Sequence, residues 1–262
     1  MRPLFSYPRS ILQLKRGDDC KCYNPTYPAM LDRSEQLLHR WNETFYATME
    51  TAANLKQLDS LEVALVGDSI TEHWTGKDLN RESRNFAGVA GVFQELFRKE
   101  NVGRINGVAL GVAAERCANT LYRLQNGGMG DLNPGIWWVL IGTNDLGGEH
   151  CTEEAIVAGN INIVQEILSR RPEALVVINS LLPRPPAIWK HLSRVNERLK
   201  CYAESTHNVK FFNATDLFME PANQTLIGLL DELHPSVDGS RRWGSAIVDK
   251  VLELTQEKKE TH

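Results

Sequence analysis

The sequence predicts an α/β fold: a three-layer, doubly wound parallel sheet of five strands with helices on both faces. Two observations predict it. Five short, largely apolar runs recur along the chain, and longer amphipathic segments separate them. Strands that are apolar throughout belong to a sheet covered on both faces, and alternation with helices makes that sheet parallel.

The elements follow in order. Residues 1–28 carry Pro3, Pro8, Pro25, Pro28 and Gly17, which reads as an irregular arm. From Pro28 to Leu55, apolar residues including Leu31, Leu38, Trp41, Phe45 and Met49 recur mostly at three- and four-residue spacings, so a helix is expected. The strands are expected at Leu61–Val66, Arg104–Leu110, Ile136–Ile141, Leu175–Asn179 and Val209–Phe212. Helices are expected around Phe93–Glu100, Cys117–Gln125, Glu153–Arg170, Trp189–Glu204 and Ser240–Thr255. Residues 29–262 then form one domain that includes the N-terminal helix.

Composition excludes some classes. The chain has 262 residues, 42% hydrophobic and 24% charged, enough to bury a large core. Its net charge of −4 gives no basic stripe for nucleic acid, so no nucleic-acid partner is expected. No apolar run approaches the ~20 residues of a transmembrane helix. Met1 to Leu14 lacks the continuous apolar stretch of a signal peptide. N-x-T sequons at Asn42, Asn213 and Asn223 are compatible with secretion but arise readily by chance, so the compartment stays open. Five cysteines, among them the close pair Cys20 and Cys22, do not make a tetrahedral metal site, and isolated thiols are expected. Neither a metal nor an organic cofactor is expected.

Ligands of a doubly wound sheet bind beyond the carboxyl ends of its strands. The first strand is followed by Gly67-Asp68-Ser69-Ile70. A serine at a strand-to-helix junction can direct its hydroxyl into the cleft, although Asp68 or Ser69 could equally be a simple N-cap. The third strand is followed by Gly142-Thr143-Asn144-Asp145, where an asparagine amide could meet a developing oxyanion or merely make a turn. Before the last helix comes Asp231-Glu232-Leu233-His234. At this spacing a carboxylate can hold an imidazole by Nδ1, leaving Nε2 to take a serine proton.

Taken together, Gly67-Asp68-Ser69-Ile70, Gly142-Thr143-Asn144-Asp145 and Asp231-x-x-His234 resemble three of the sequence blocks of the SGNH (GDSL-type) hydrolases. Leu121-Tyr122-Arg123-Leu124 and Leu181-Leu182-Pro183-Arg184 are similar to the branch that holds the platelet-activating-factor acetylhydrolase catalytic subunits. The resemblance runs from about Leu61 into the last helix and leaves residues 1–60 outside. It implies a flavodoxin-like sheet and a serine ester hydrolase with Ser69 as nucleophile, His234 as base and Asp231 orienting the base. It also implies an oxyanion hole from the Ser69 N–H, the Asn144 amide and a glycine N–H of the second block. Ala114 stands in that glycine's place, followed by Glu115 instead of a shorter carboxylate. If Ala114 takes a negative φ the hole survives; if the turn requires positive φ, the loop must shift.

Asp68 and Trp189 are candidate substrate-binding residues, the alternative for Trp189 being a core position beside the rigid Pro183–Pro186 loop. His73 and His150 read as surface or packing residues, lacking a carboxylate at the Asp-x-x-His spacing. The expected partner is a small-molecule, glycan or lipid ester, with a short acyl chain favoured. A lysophospholipase or thioesterase with the same triad, and a non-catalytic binding module, are the alternatives. The resemblance also allows a homodimer, because the related acetylhydrolase subunits associate.

Overall fold

The five expected strands all form, and they lie side by side in one parallel sheet. A computed structural model describes residues 22, 24–55, 61–147, 151–220, 222 and 224–260. In chain order the elements are α1 (Glu35–Leu55), β1 (Val63–Gly67), α2 (Ser69–Glu72), β2 (Lys77–Asp78), β3 (Arg81–Glu82), α3 (Ala87–Leu96), β4 (Gly107–Gly111) and α4 (Cys117–Asn126). There follow β5 (Ile136–Leu140), α5 (Thr143–Gly147), α6 (Glu153–Arg170), β6 (Leu175–Asn179), α7 (Pro186–Glu204) and β7 (Val209–Phe212). The chain closes with α8 (Thr215–Phe218), β8 (Met219–Glu220), β9 (Thr225–Leu226) and α9 (Val237–Glu260).

The strand order is β4-β1-β5-β6-β7, the flavodoxin-like order of a doubly wound sheet. The chain steps outward from β1 to β4, then crosses back to β5. Right-handed crossovers therefore put α3 on one face and α4, α6 and α7 on the other. The packing agrees: α4 lies against α6 and α6 against α7, while α3 pairs with α9. In register, Gly67 of β1 sits opposite Gly111 of β4 and Leu140 of β5, so three strand ends finish level at the switch point.

Burial explains why these runs become strands. Every residue of β1, β4 and β5 is buried, which suits sequence that is apolar throughout. Trp137 and Trp138 are successive, so they point into opposite layers. Trp138 and Trp243 each donate an indole N–H to Asn179 Oδ1, at 3.0 and 3.1 Å, which joins β5, β6 and α9 through one buried amide. A second apolar cluster of Leu31, Trp41, Phe45, Leu79, Val112 and Ala113 docks α1 onto the loop after β4.

Two expectations change. The helix expected from Phe93 begins earlier, at Ala87, and ends at Leu96. Gly88 and Gly91 obscure its start in the sequence, yet a Cβ at Gly88 would lie 2.7 Å from Val237 Cγ2, so the glycine lets α3 and α9 approach. The cysteines are not all isolated, because Cys22 and Cys151 form a disulfide across 129 residues of chain, leaving Cys117 and Cys201 free. Sequence spacing cannot reveal that pairing, since the fold alone brings the two Cα atoms to 4.8 Å. Most of the expected arm, Cys20, His150 and the sequon at Asn223 lie outside the described residues. No described helix is long and apolar enough to cross a membrane.

Candidate active site

At the end of β1 the chain turns sharply into α2. A Cβ on Gly67 would fall 2.1 Å from the Leu140 carbonyl oxygen, so only glycine allows the turn so close to β5. Asp68 caps α2: its Oδ1 accepts from Ile70 N at 3.0 Å, and its carbonyl accepts from the N–H groups of Thr71 and Glu72. Asp68, a candidate substrate contact, is only 1% exposed, with its Oδ1 engaged at the helix terminus. Burial pushes that carboxyl up to about 7, aided by the nearby Glu115 and Asp145 carboxylates and opposed by the Ile70 N–H.

Capping leaves Ser69 at the first position of α2 with its hydroxyl toward the loop before α9. Ser69 Oγ lies 3.0 Å from His234 Nε2. His234 Nδ1 lies 2.8 Å from Asp231 Oδ2 and 3.1 Å from Oδ1. The carboxylate is itself held by the N–H groups of His234 (2.8 Å) and Leu233 (3.3 Å) to Oδ1. A tight return makes this geometry: Leu230 N donates to His234 O, Leu229 bridges to Pro235, and Glu232 takes a φ of +62°. Partial burial raises the Asp231 pKa, but the His234 ring and the two N–H bonds outweigh it and hold the group below the usual carboxylate value. An ionised Asp231 keeps the proton on His234 Nδ1 and leaves Nε2 as acceptor toward Ser69.

The His234 ring has a wall. His73, one turn after Ser69, stacks on Phe86 with ring centroids 3.4 Å apart and sits 4.6 Å from the His234 centroid. Phe86 meets His234 edge-on. Burial lowers the His73 pKa, with Asp78, 3.8 Å from Nε2, opposing. His73 is thus a packing residue, as expected, but one placed against the imidazole of His234. Its position four residues after Ser69 places it on the same helical path, but that spacing does not point to His234.

Across β1, the ends of β4 and β5 bring two more groups to the cleft. Ala114 adopts a φ of +66°, so the positive-φ alternative holds and alanine occupies a left-handed turn. Its N–H takes no acceptor among the described residues, whereas the preceding Ala113 N–H donates to Glu72 Oε2 at 2.7 Å. Asn144, at the start of α5, donates one amide hydrogen to the Glu115 carbonyl at 2.9 Å, and the second has no acceptor among the described residues. Beneath the loop, the fully buried Glu115 carboxylate accepts from Trp41 Nε1, Thr120 Oγ1 and Arg123 Nε. Arg123 also donates to the carbonyls of Gly67 and Leu110. Burial raises the Glu115 pKa, with Arg123 opposing most strongly.

The structure therefore brings Ser69, His234 and Asp231 into one chain of hydrogen bonds, with Ala114 and Asn144, which follow the two strands flanking β1, joined through Glu115. It does not bring in Trp189, which is half-buried on α7 against the main core. Arg184, a residue without an expected role, donates to Thr143 Oγ1 at 3.1 Å. Its half-burial lowers its pKa, against the pull of Asp231, Asp68 and Glu232.

Comparison with known proteins places the chain in a family. A model of the GDSL-like lipase/acylhydrolase family matches residues 65–242. The chain is 27% identical, over 171 residues, to platelet-activating factor acetylhydrolase IB subunit alpha2 of Homo sapiens; the match covers 63% of this chain and 71% of that subunit. A GDSL-like lipase from Bacteroides thetaiotaomicron superposes with a TM-score of 0.60 at 20% identity, over 82% of this chain and 99% of the other. A carbohydrate esterase family 3 protein from Talaromyces cellulolyticus shares the fold with a TM-score of 0.51 at 18% identity, over 75% and 99%. The match across most of the chain identifies it as a carboxylic ester hydrolase belonging to the GDSL-like lipase/acylhydrolase family.

Proposed function

We propose that the protein hydrolyses short-chain, acetyl-type esters through an acyl-enzyme on Ser69. The observation that carries the catalytic assignment is the continuous relay from Ser69 Oγ through His234 to Asp231, at 3.0 and 2.8 Å. His234 Nε2 takes the Ser69 proton as Oγ attacks the acyl carbonyl, and Asp231 stabilises the imidazolium. The tetrahedral oxyanion accepts from the N–H groups of Ser69 and Ala114 and from the free Asn144 amide hydrogen. His234 then protonates the departing alcohol, and water repeats the sequence to release the acid.

The short acyl preference is supported by the acetylhydrolase relatives, whose name specifies that acyl group. A second reading, a lipid leaving group, has its own support: Leu230 and Val237 flank the Asp231–His234 loop and are 49% and 38% exposed. The test is hydrolysis of a p-nitrophenyl ester series from acetyl to palmitoyl by wild type and Ser69→Ala. Turnover should be highest at the short end and fall by ~10³-fold or more in the variant. A long-chain optimum would replace the acetyl reading with the lipid one, and unchanged turnover in Ser69→Ala would remove the nucleophile assignment.

A further inference from the structure

Helix α1 lies before the family match, yet it reaches the loop that carries Ala114. The contact is specific. Trp41 is fully buried on α1, and its Nε1 donates to Glu115 Oε1 at 2.9 Å. Glu115 also receives Thr120 and Arg123 on its side chain and Asn144 on its carbonyl. Thr120 and Arg123 lie within the matched region, so of these three side-chain donors only Trp41 comes from outside it.

The loop needs such support. An alanine held at a φ of +66° is roughly 1–2 kcal/mol worse than in an ordinary region, because Cβ crowds the following carbonyl. Unless held, the peptide relaxes toward negative φ, and the Ala114 N–H turns with it. Thr120 and Arg123 anchor the Glu115 carboxylate to α4 and to the ends of β1 and β4, while Trp41 completes its donors from the third side. The longer side chain of Glu115 allows this reach across to α1.

We propose that Trp41 is a positioning residue for acyl transfer: through Glu115 it holds the Ala114–Glu115 peptide in the turn that presents the Ala114 N–H, beside Asn144, to the oxyanion. This rests on the reading of Ala114 and Asn144 as oxyanion donors.

The experiment compares full-length wild type, Trp41→Phe, Trp41→Phe/Ala114→Gly and Phe45→Leu on p-nitrophenyl acetate, with Ser69→Ala as the reference. Phenylalanine keeps most of the apolar bulk and removes the indole N–H. Trp41→Phe should lower kcat at least about 10-fold, and by no more than the ~10²–10³-fold of losing one oxyanion donor outright, and leave KM within about threefold. Glycine adopts positive φ freely, so Ala114→Gly in the Trp41→Phe background should restore most of the lost kcat. Phe45→Leu loosens the same helix face without touching Glu115 and should leave kcat near wild type. Melting curves by circular dichroism, with rates expressed per folded protein, keep the comparison valid if a variant is destabilised. Unchanged kcat in Trp41→Phe overturns the inference. An equal loss in Phe45→Leu, or no rescue by glycine, overturns it too, by assigning the effect to helix docking. These outcomes bear on Trp41 while turnover remains dependent on Ser69; turnover independent of Ser69 instead overturns the underlying site reading.

Discussion

Replacing both Cys22 and Cys151 with serine should cost this protein a large part of its stability. The disulfide joins a residue ahead of α1 to the start of the segment leading into α6, and it closes a loop across 129 residues. In the chain-entropy account, a cross-link over about that length removes roughly 5 kcal/mol of freedom from the unfolded chain at 25 °C. For a chain of this size each kcal/mol moves the midpoint by about 2–4 °C, so the ceiling is about 10–20 °C. Strain and residual structure in the unfolded chain bring measured effects below such ceilings, and a drop of about 5–15 °C is expected. Differential scanning calorimetry of wild type, with and without reductant, and of the double variant would measure it. Reductant should bring the wild type to the variant's midpoint and leave the variant unmoved. A change of less than about 2 °C in both comparisons would refute the argument. It would mean either that the bond does not form or that the segment around Cys22 is not tied to the body of the fold.

Two further outcomes concern pH. Burial raises the folded-state pKa of Asp68 to about 7 from the ordinary value near 3.8. The native state therefore holds a proton that the unfolded chain releases, and the associated stability is full below pH ~4 and lost as pH rises through ~7. Asp68→Asn keeps an acceptor for Ile70 N and removes the titration. It should gain on wild type between pH 4 and 8 by up to about 4 kcal/mol, read from denaturant midpoints; parallel pH profiles would contradict this. His73 behaves with the opposite sense, because burial depresses its pKa. Its contribution is present above pH ~6.5 and lost as pH falls through the depressed value. His73→Phe preserves a ring against Phe86 and His234 and should flatten the acid side of the stability profile; an unchanged acid slope would count against it.

Much of the fold was legible in the sequence because strand burial and helix periodicity are local signals. The five apolar runs became β1, β4, β5, β6 and β7, and Glu153–Arg170 became α6 with the expected limits. The start of α3 was hidden by Gly88 and Gly91, of which Gly88 serves a close contact with α9 rather than a local turn. At the site, Ser69, Asn144, Asp231 and His234 were legible because each ends a strand or precedes a helix in a short, readable block. Other features were not. The near-complete burial of Asp68 has no local signature, and the helical spacing of His73 from Ser69 gave no sign of a ring contact with the distant His234.

The sequence by itself determined the layer architecture, the strand ends that matter and the side chains able to form a relay. These follow from periodicity and from short spacings, in which neighbours in the chain are neighbours in space. Only the tertiary structure decided what joins distant segments: the Cys22–Cys151 bond, the Trp41–Glu115 contact and the left-handed φ of Ala114. Each depends on the distance between elements far apart in the chain or on a backbone angle imposed by its surroundings. The same alanine would be unremarked in a helix or a strand. At the end of β4 it takes a left-handed φ, next to a fully buried Glu115 that α1 reaches through Trp41.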